Sequence, residues 1–360
     1  MIIVTKPSVD EEQITTIKTK VEDFGLHTSV SQLSESTAIG VHGDLKQVPE
    51  GSFSDLPGVE RIASISKPYK LVSREFKQEN TVVNVKGIPI GGKAVQITAG
   101  PCSVETPEQM HASAEAVVSA GVPLMRGGAF KPRTSPYTFQ GHGEKGLQYL
   151  MEAAKNYDLP VVTELMDVRD LDKFLKYEVD VIQIGARNMQ NFPLLREVGQ
   201  LDIPIVLKRG MSATIKDWLM AAEYIAAEGN MNIILAERGI RTFESAYRYA
   251  LDVSAIPFLK RETHLPVIVD PSHASGKSWM VPALSQAAVA VGADGLLVEC
   301  HPHPAQAWSD AEQALAPQAL KDLVNELRAT AQARGRELGQ KQEVRANGHL
   351  QKTTEQQLPA

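Results

Sequence analysis

Short apolar runs recur at near-even spacing through the middle of the chain. They are VQITAG (95–100), VPLMRGG (122–128), LPVVTEL (159–165), VDVIQIG (179–185), IPIVLKRG (203–210), NIILAERG (232–239), LPVIVDP (265–271) and GADGLLVEC (292–300). The runs are short and apolar, and most are rich in β-branched residues. That is the pattern of a strand buried on both faces. Helical segments such as TPEQMHASAEAVVSAG and ATIKDWLMAAEYIAAEG separate the runs, so the chain repeats a βα unit eight times over about 240 residues. This predicts an α/β fold, a TIM barrel of ordinary size. A doubly wound sheet is the alternative, and eight evenly graded units favour closure.

Residues 1–72 follow a different rhythm. MIIVTK reads as a strand, and Ser8 with Glu11 three positions later forms a capping-box signature. A helix follows with Ile14, Ile17, Val21 and Phe24 on one face, ending at Gly25. HTSVSQL, STAIGVHG and ERIASIS complete a β-α-β-β-(α)-β order, a small ferredoxin-like α+β domain whose second helix is broken by Pro49, Gly51 and Pro57. No acid–base or metal cluster falls here, so a regulatory or oligomerising role is expected. Residues 73–92 read as a charged linker and a hairpin around Lys86-Gly87, residues 93–336 as the barrel, and residues 337–360 as a tail without periodicity.

Composition narrows the class of protein. An apolar fraction of 43% with 22% charged residues is that of an ordinary globular protein, and no run approaches the roughly 18 apolar residues of a membrane span. A net charge of −6 argues against nucleic-acid binding, which needs a basic field. With only Cys102 and Cys300 there is no disulfide framework, and a reducing cytoplasm is the expected compartment.

In a TIM barrel the active site is built from the C-terminal ends of the strands. Arg126, Arg187, Lys208 and Arg238 stand there, and the segment after the second strand adds Lys131 and Arg133. Any one of them alone is better explained as solvated or paired. Six at one topological position in an acidic protein point to a multiply charged anionic substrate, with Gly127, Gly128 and Gly210 allowing close approach. A second set is acidic and soft: Cys102 after the first strand, His273 after the seventh, Glu299 ending the eighth and Asp310 beyond it. Thiolate, imidazole and carboxylates suit a divalent transition metal, with His301 and His303 as reserve ligands. Gly276-Lys277-Ser278 imitates the end of a P-loop, but Pro271 stands where that loop needs a glycine. These three residues are expected to turn the chain into the next helix.

The motifs AGPCSVE, RGGAFKPRTSPYTFQG, GARNMQN, LKRGM, LAERG, VDPSHASG and VECHPHP, in this order, closely resemble those of 3-deoxy-D-arabino-heptulosonate 7-phosphate (DAHP) synthase, of the type with an N-terminal ferredoxin-like domain. The resemblance covers roughly residues 1–336. It implies a metal-dependent, aldol-like condensation of phosphoenolpyruvate with erythrose 4-phosphate, the entry to aromatic amino-acid biosynthesis. By motif, the metal ligands fall on Cys102, His273, Glu299 and Asp310, holding a cation of the Mn, Fe, Co or Zn type. The phosphoenolpyruvate contacts fall on Arg126, Lys131, Arg187, Lys208 and Arg238. The erythrose 4-phosphate contacts fall on Pro132, Arg133, Thr134 and Ser135. Lys131 is the candidate proton donor to the new alkoxide, because among these cations only a lysine readily changes its protonation state. The resemblance also implies an aromatic amino-acid effector at the N-terminal domain and a homotetramer. Within the same chemistry the rival is 3-deoxy-manno-octulosonate 8-phosphate synthase, which uses arabinose 5-phosphate and shows an Ala-Asn-Arg-Ser-type segment where this chain has KPRTS. A non-catalytic phosphosugar sensor is the alternative from a different class.

Overall fold

The N-terminal run folds as a four-stranded antiparallel sheet of β1 (Ile2–Thr5), β2 (His27–Gln32), β3 (Thr37–His42) and β4 (Val59–Ala63), in the order β2-β3-β1-β4. One helix, Glu11–Glu22, packs Ile17 and Val21 onto Ile3, Ile39 and Val41. Its cap lies two residues later than the Ser8–Glu11 signature suggests. Asp10 accepts from Gln13 N, and the Gln13 side-chain oxygen accepts from Asp10 N in return. The computed structural model describes residues 1–33, 36–49, 51–133 and 135–341. Among these, the stretch between β3 and β4 holds a single 3-10 turn, Leu45–Gln47, in place of the second helix. This is a ferredoxin-like domain with one helix reduced.

The two runs around Lys86-Gly87 pair as a hairpin, β5 (Val83–Val85) and β6 (Ile88–Ile90). All eight predicted runs then form parallel strands: β7 (Ala94–Gly100), β8 (Leu124–Arg126), β9 (Val161–Glu164), β10 (Val181–Ile184), β11 (Ile205–Lys208), β12 (Ile233–Glu237), β13 (Val267–Val269) and β14 (Gly295–Glu299). Each pairs with the next, and β14 returns to β7 in the register Glu299↔Gly100, so the sheet closes into a barrel. A last strand, β15 (Glu337–Leu338), adds in parallel to the start of β7 at Ala94 and Val95. Residues 337–341 therefore stay with the barrel, and the tail expected from 337 is corrected to that extent. Two paired residues are too few to leave a periodic signal, and their pairing rests on backbone bonds. Residues 342–360 lie outside the described residues.

Inside the barrel, Leu124, Val162, Val181, Val206, Ile234, Ala236, Ile268 and Leu297 form one buried cluster with Val83, Val85 and Ile90 of the hairpin. The hairpin thus plugs the N-terminal mouth. Because side chains alternate along a strand, the residue two places beyond each inward apolar one also faces inward, one layer nearer the C-terminal mouth. Those residues are Arg126, Glu164, Gln183, Lys208, Arg238, Asp270 and Glu299. The period-2 pattern that builds the core therefore also delivers a polar layer above it.

The predicted linker is held firmly to the barrel. Glu223 accepts from the backbone N–H groups of Leu71 and Val72 at 2.9 and 3.1 Å, and Arg74 donates to the carbonyls of Lys260 and Thr263. His264 is 1% exposed, with Nε2 on Leu71 O and Nδ1 on Thr81 Oγ1, both at 2.8 Å. Burial, against the pull of the Leu71 carbonyl and with the nearby Lys77 and Arg74 charges, lowers its pKa from 6.5 to about 4. A lowered histidine pKa means the unfolded chain takes the proton first. The stabilisation is complete above pH ~6.5 and drains away as pH falls toward ~4. From about pH 7.5 to about pH 5, His264 should cost the fold roughly 2 kcal/mol. Urea unfolding at the two pH values checks this: His264→Gln should be less stable at neutral pH but show a flatter pH dependence. An equal slope in both proteins would contradict it.

Candidate active site

Four donor atoms meet at the C-terminal mouth. One atom each from Cys102, His273, Glu299 and Asp310 lies within 4.8 Å of all the others. Cys102 follows β7 in a turn where Gly100 has φ 152° and a Cβ would come 2.0 Å from Arg126 O, a close approach that only glycine allows. His273 stands on a five-residue helix, Pro271–Ser275, capped by Asp270. The Asp270 carboxylate accepts from His273 N at 2.9 Å and from its Nδ1 at 2.7 Å. That bond assigns the ring proton to Nδ1 and leaves the Nε2 lone pair free, 3.2 Å from Glu299 and 3.9 Å from Asp310. Asp310 sits in a left-handed conformation and accepts from the Cys102 thiol at 3.0 Å.

The electrostatics of the cluster call for a cation. Burial, then the charges of Glu299 and Asp310, push the Cys102 thiol up to about 12 against the opposing Lys131 and Arg126. Burial alone would raise the Asp310 carboxyl, but His273, the Cys102 thiol, Arg248 and Lys131 bring it down to about 2. Burial, the largest influence, lowers the His273 pKa despite the Asp270 and Glu299 carboxylates beside it. Sulfur, neutral nitrogen and two carboxylates in a buried cluster fit a divalent transition metal, whose charge would also favour the thiolate.

Beside the cluster lies a cleft of ≈ 330 Å³ lined by Arg126, Lys131, Pro132, Arg133, Ser135, Arg187, Lys208 and Arg238, with His273 and Asp310 at one side. Arg126 donates to Glu299, one of the four donors, at 2.7 Å, and Lys208 donates at 2.5 Å to Asp270, the acid that orients His273. Arg238 is buried, stacked 4.3 Å over the Tyr249 ring, and its Nη1 has no hydrogen-bond partner among the described residues. A buried guanidinium nitrogen without an acceptor is costly unless an anion supplies one. Lys131 is 7% exposed, with Nζ 2.7 Å from Cys102 O and 2.9 Å from Cys102 Sγ, at the junction of the cleft and the donor cluster.

Residues 75–333 match the DAHP synthetase I family, and residues 1–67 match the DAHP synthase ferredoxin-like domain. The chain belongs to the DAHP synthetase I family. It is 50% identical over 335 residues to the phospho-2-dehydro-3-deoxyheptonate aldolase of Thermotoga maritima, covering 93% of this chain and 99% of that one. A crystal structure of the Thermotoga maritima DAHP synthase superposes with a TM-score of 0.75 at 49% identity, over 94% of this chain and 98% of the other. The 2-dehydro-3-deoxyphosphooctonate aldolase of Azoarcus sp. is 30% identical over 270 residues, 69% of this chain and 95% of its own.

The fold brings every described candidate of this family member to one mouth; Thr134 lies outside the described residues. The two reserve histidines do not join. His301 is buried against Glu105 at 3.3 Å, and His303 is exposed with its N–H on His301 Nδ1. The glycines serve other purposes than those expected. A Cβ on Gly127 would meet Leu150 and Val104, and one on Gly210 would meet Ala213. At Gly128 it would lie 2.7 Å from Cys102 O and 2.9 Å from Lys131 Nζ, so this glycine makes room for Lys131. Gly185 is the one that lines the cleft, against Glu164. Lys277 pairs with Glu312 at 2.5 Å, and Gly276 ends the His273 helix before the turn Ser278–Met280, which disposes of the P-loop likeness.

Several functional residues escaped sequence reasoning. Asp270 had a signal, since Asp before Pro at a helix start is an N-cap pattern. Gln313 had none: it donates to Glu299 at 2.5 Å and accepts from Arg248 at 2.9 Å, contacts that exist only in three dimensions.

Proposed function

We propose that this chain condenses phosphoenolpyruvate with erythrose 4-phosphate and water to give DAHP and phosphate, the first step of the shikimate pathway. Family membership supports the reaction. The observation that carries the site reading is the cleft in which unpaired and half-paired cations adjoin a four-donor cluster. Phosphoenolpyruvate is held by Arg126, Lys131, Arg187, Lys208 and Arg238, with the partnerless Arg238 Nη1 taking one anionic oxygen. Pro132, Arg133 and Ser135, with Thr134 between them, take the aldose phosphate.

Cys102, His273, Glu299 and Asp310 hold a divalent metal of the Mn, Fe, Co or Zn type. When bound it supplies Lewis-acid polarisation of the aldehyde, worth several kcal/mol at the transition state. The enol carbon of phosphoenolpyruvate bonds to the aldehyde carbon, and Lys131 gives its proton to the oxygen that becomes an alkoxide. Water adds at the enol-ether carbon, where positive charge is left, and gives one proton back to Lys131 while its other proton leaves with the phosphate. Breaking the bond from that carbon to the phosphate oxygen then releases phosphate and leaves the keto acid. Arg126 and Lys208 are locked by their acids, so the substrate charge is received without reorganisation.

The two candidate aldoses separate this reading from its rival. With phosphoenolpyruvate present, erythrose 4-phosphate should release phosphate at least about 100-fold more efficiently than arabinose 5-phosphate, a margin within reach of specific polar recognition. The reverse preference would overturn the aldose assignment. No helix among the described residues is long and apolar enough to cross a membrane. We place the enzyme in the cytoplasm, where both buried thiols stay reduced. We also assign it a homotetrameric assembly, which light scattering would check. The ferredoxin-like domain supports a regulatory reading: Tyr or Phe should inhibit the full chain in the same assay, and a chain starting at residue 74 should lose that response.

A further inference from the structure

One buried carboxylate near the donor cluster has no part in the chemistry above. Glu105 is 5% exposed and lies in the same turn as Cys102, after β7. Its Oε1 accepts from the Trp308 backbone N–H at 2.8 Å and from the Ser103 hydroxyl at 3.2 Å, and its Oε2 lies 3.3 Å from His301 Nε2. Because His303 N donates to His301 Nδ1 at 3.0 Å, the ring proton sits on Nε2 and is given to Glu105. The Glu105 carbonyl meets His142 Nε2 at 2.8 Å, and Ser103 Oγ meets Ser309 Oγ at 2.7 Å.

Three segments therefore converge on one residue, two of them at its side chain and the third at its backbone carbonyl. The first is the turn carrying Cys102, the second the loop that runs from His301 through Trp308 to Asp310. The third is the stretch beyond Lys131, Arg133 and Ser135, reached through His142 and the ring contacts of Phe139 and Trp308 at 5.0 Å. Glu105 touches none of the four donor atoms. A carboxylate buried this deeply is costly unless fully hydrogen-bonded. An apolar side chain could have filled the same space, but it could not have fixed the spacing of the loops to hydrogen-bond precision. Cys102 and Asp310 are close in space, 3.0 Å apart at Sγ and Oδ2, yet 208 positions apart in sequence, on loops that need such a tie.

We propose that Glu105 is a positioning residue: it sets the separation of the Cys102 and Asp310 loops and thereby the affinity of the donor cluster for its divalent cation. This rests on the metal assignment above, and the experiment separates the two. The full chain is stripped with a chelator and titrated with Co²⁺ in competition with a chromophoric chelator. The thiolate-to-cobalt absorption band is followed in parallel, and phosphoenolpyruvate affinity is measured on the same proteins. The parent chain should bind Co²⁺ with a clear thiolate band; without that band the metal assignment itself fails. Glu105→Ala should weaken Co²⁺ binding by ~10–100-fold, the usual effect of losing an outer-shell partner, and weaken the band at saturation. Glu105→Gln, which keeps the Trp308 contact, should fall between, and it decides the matter if the Ala variant does not fold. Phosphoenolpyruvate affinity should fall far less than Co²⁺ affinity, because of its contacts only Lys131 touches the Cys102 turn, while Arg126 and Lys208 are held by Glu299 and Asp270. Parental Co²⁺ affinity and band in Glu105→Gln together with Glu105→Ala would overturn the proposal. An equal loss of phosphoenolpyruvate affinity would also overturn it, by showing a merely structural role.

Discussion

Lys131→Met is expected to lower kcat by about 10²–10⁴-fold, the range for removing a positioned acid, while phosphoenolpyruvate affinity falls far less. Methionine nearly matches the lysine in length and fills the same buried space, so packing survives and the effect reports on the ammonium group. The geometry behind this expectation is the placement of Nζ 2.7 Å from Cys102 O and 2.9 Å from Cys102 Sγ, between the anion cleft and the donor cluster. A group there lines the cleft and touches the donor cluster at Cys102. Gly128 supports it, since any side chain at that position would crowd Nζ. Steady-state kinetics with a direct binding measurement checks the point. If turnover is kept and only substrate affinity is lost, Lys131 binds and does not donate.

Cys102→Ser should weaken transition-metal binding by at least about 100-fold, more than an outer-shell change, and reduce activity in step at limiting metal. The thiol is 3% exposed and donates to Asp310 at 3.0 Å, and serine is close to it in shape and can make the same bond. The fold should therefore tolerate the change, with melting temperature lowered only modestly. What is lost is a soft donor whose ionisation, resisted by burial and by Glu299, is favoured only beside a cation. High added metal should restore part of the activity. Full activity and parental metal affinity in the serine variant would remove Cys102 from the ligand set.

Much of this site was legible because the barrel uses one period for two purposes. In IVLK the alternation that sends Val206 into the core sends Lys208 into the next layer, and the same step leads from Leu124 to Arg126 and from Leu297 to Glu299. A reader who recognises eight strands can therefore find the polar layer without coordinates. The candidate ligand on a loop is harder to find. Asp310 is eleven residues past the end of β14, and nothing in its neighbours distinguishes it from His301 or His303, which are chemically better metal ligands yet are held elsewhere. Hub residues such as Glu105 and Gln313 were invisible, because their partners lie in loops that meet only once the barrel has closed. The last strand is hidden in the sequence for a related reason. β15 is held by backbone pairing to β7, which leaves no side-chain pattern.

The most direct test of the account is phosphate release from phosphoenolpyruvate by the full chain before and after chelation, with and without erythrose 4-phosphate. No release is expected without the aldose, and turnover should be lost on chelation. Restoring Mn²⁺, Fe²⁺, Co²⁺ or Zn²⁺ should recover it, with a product bearing the new carbon–carbon bond. Turnover that survives complete removal of the metal, or a metal-restored protein that leaves both substrates unchanged, would contradict the account.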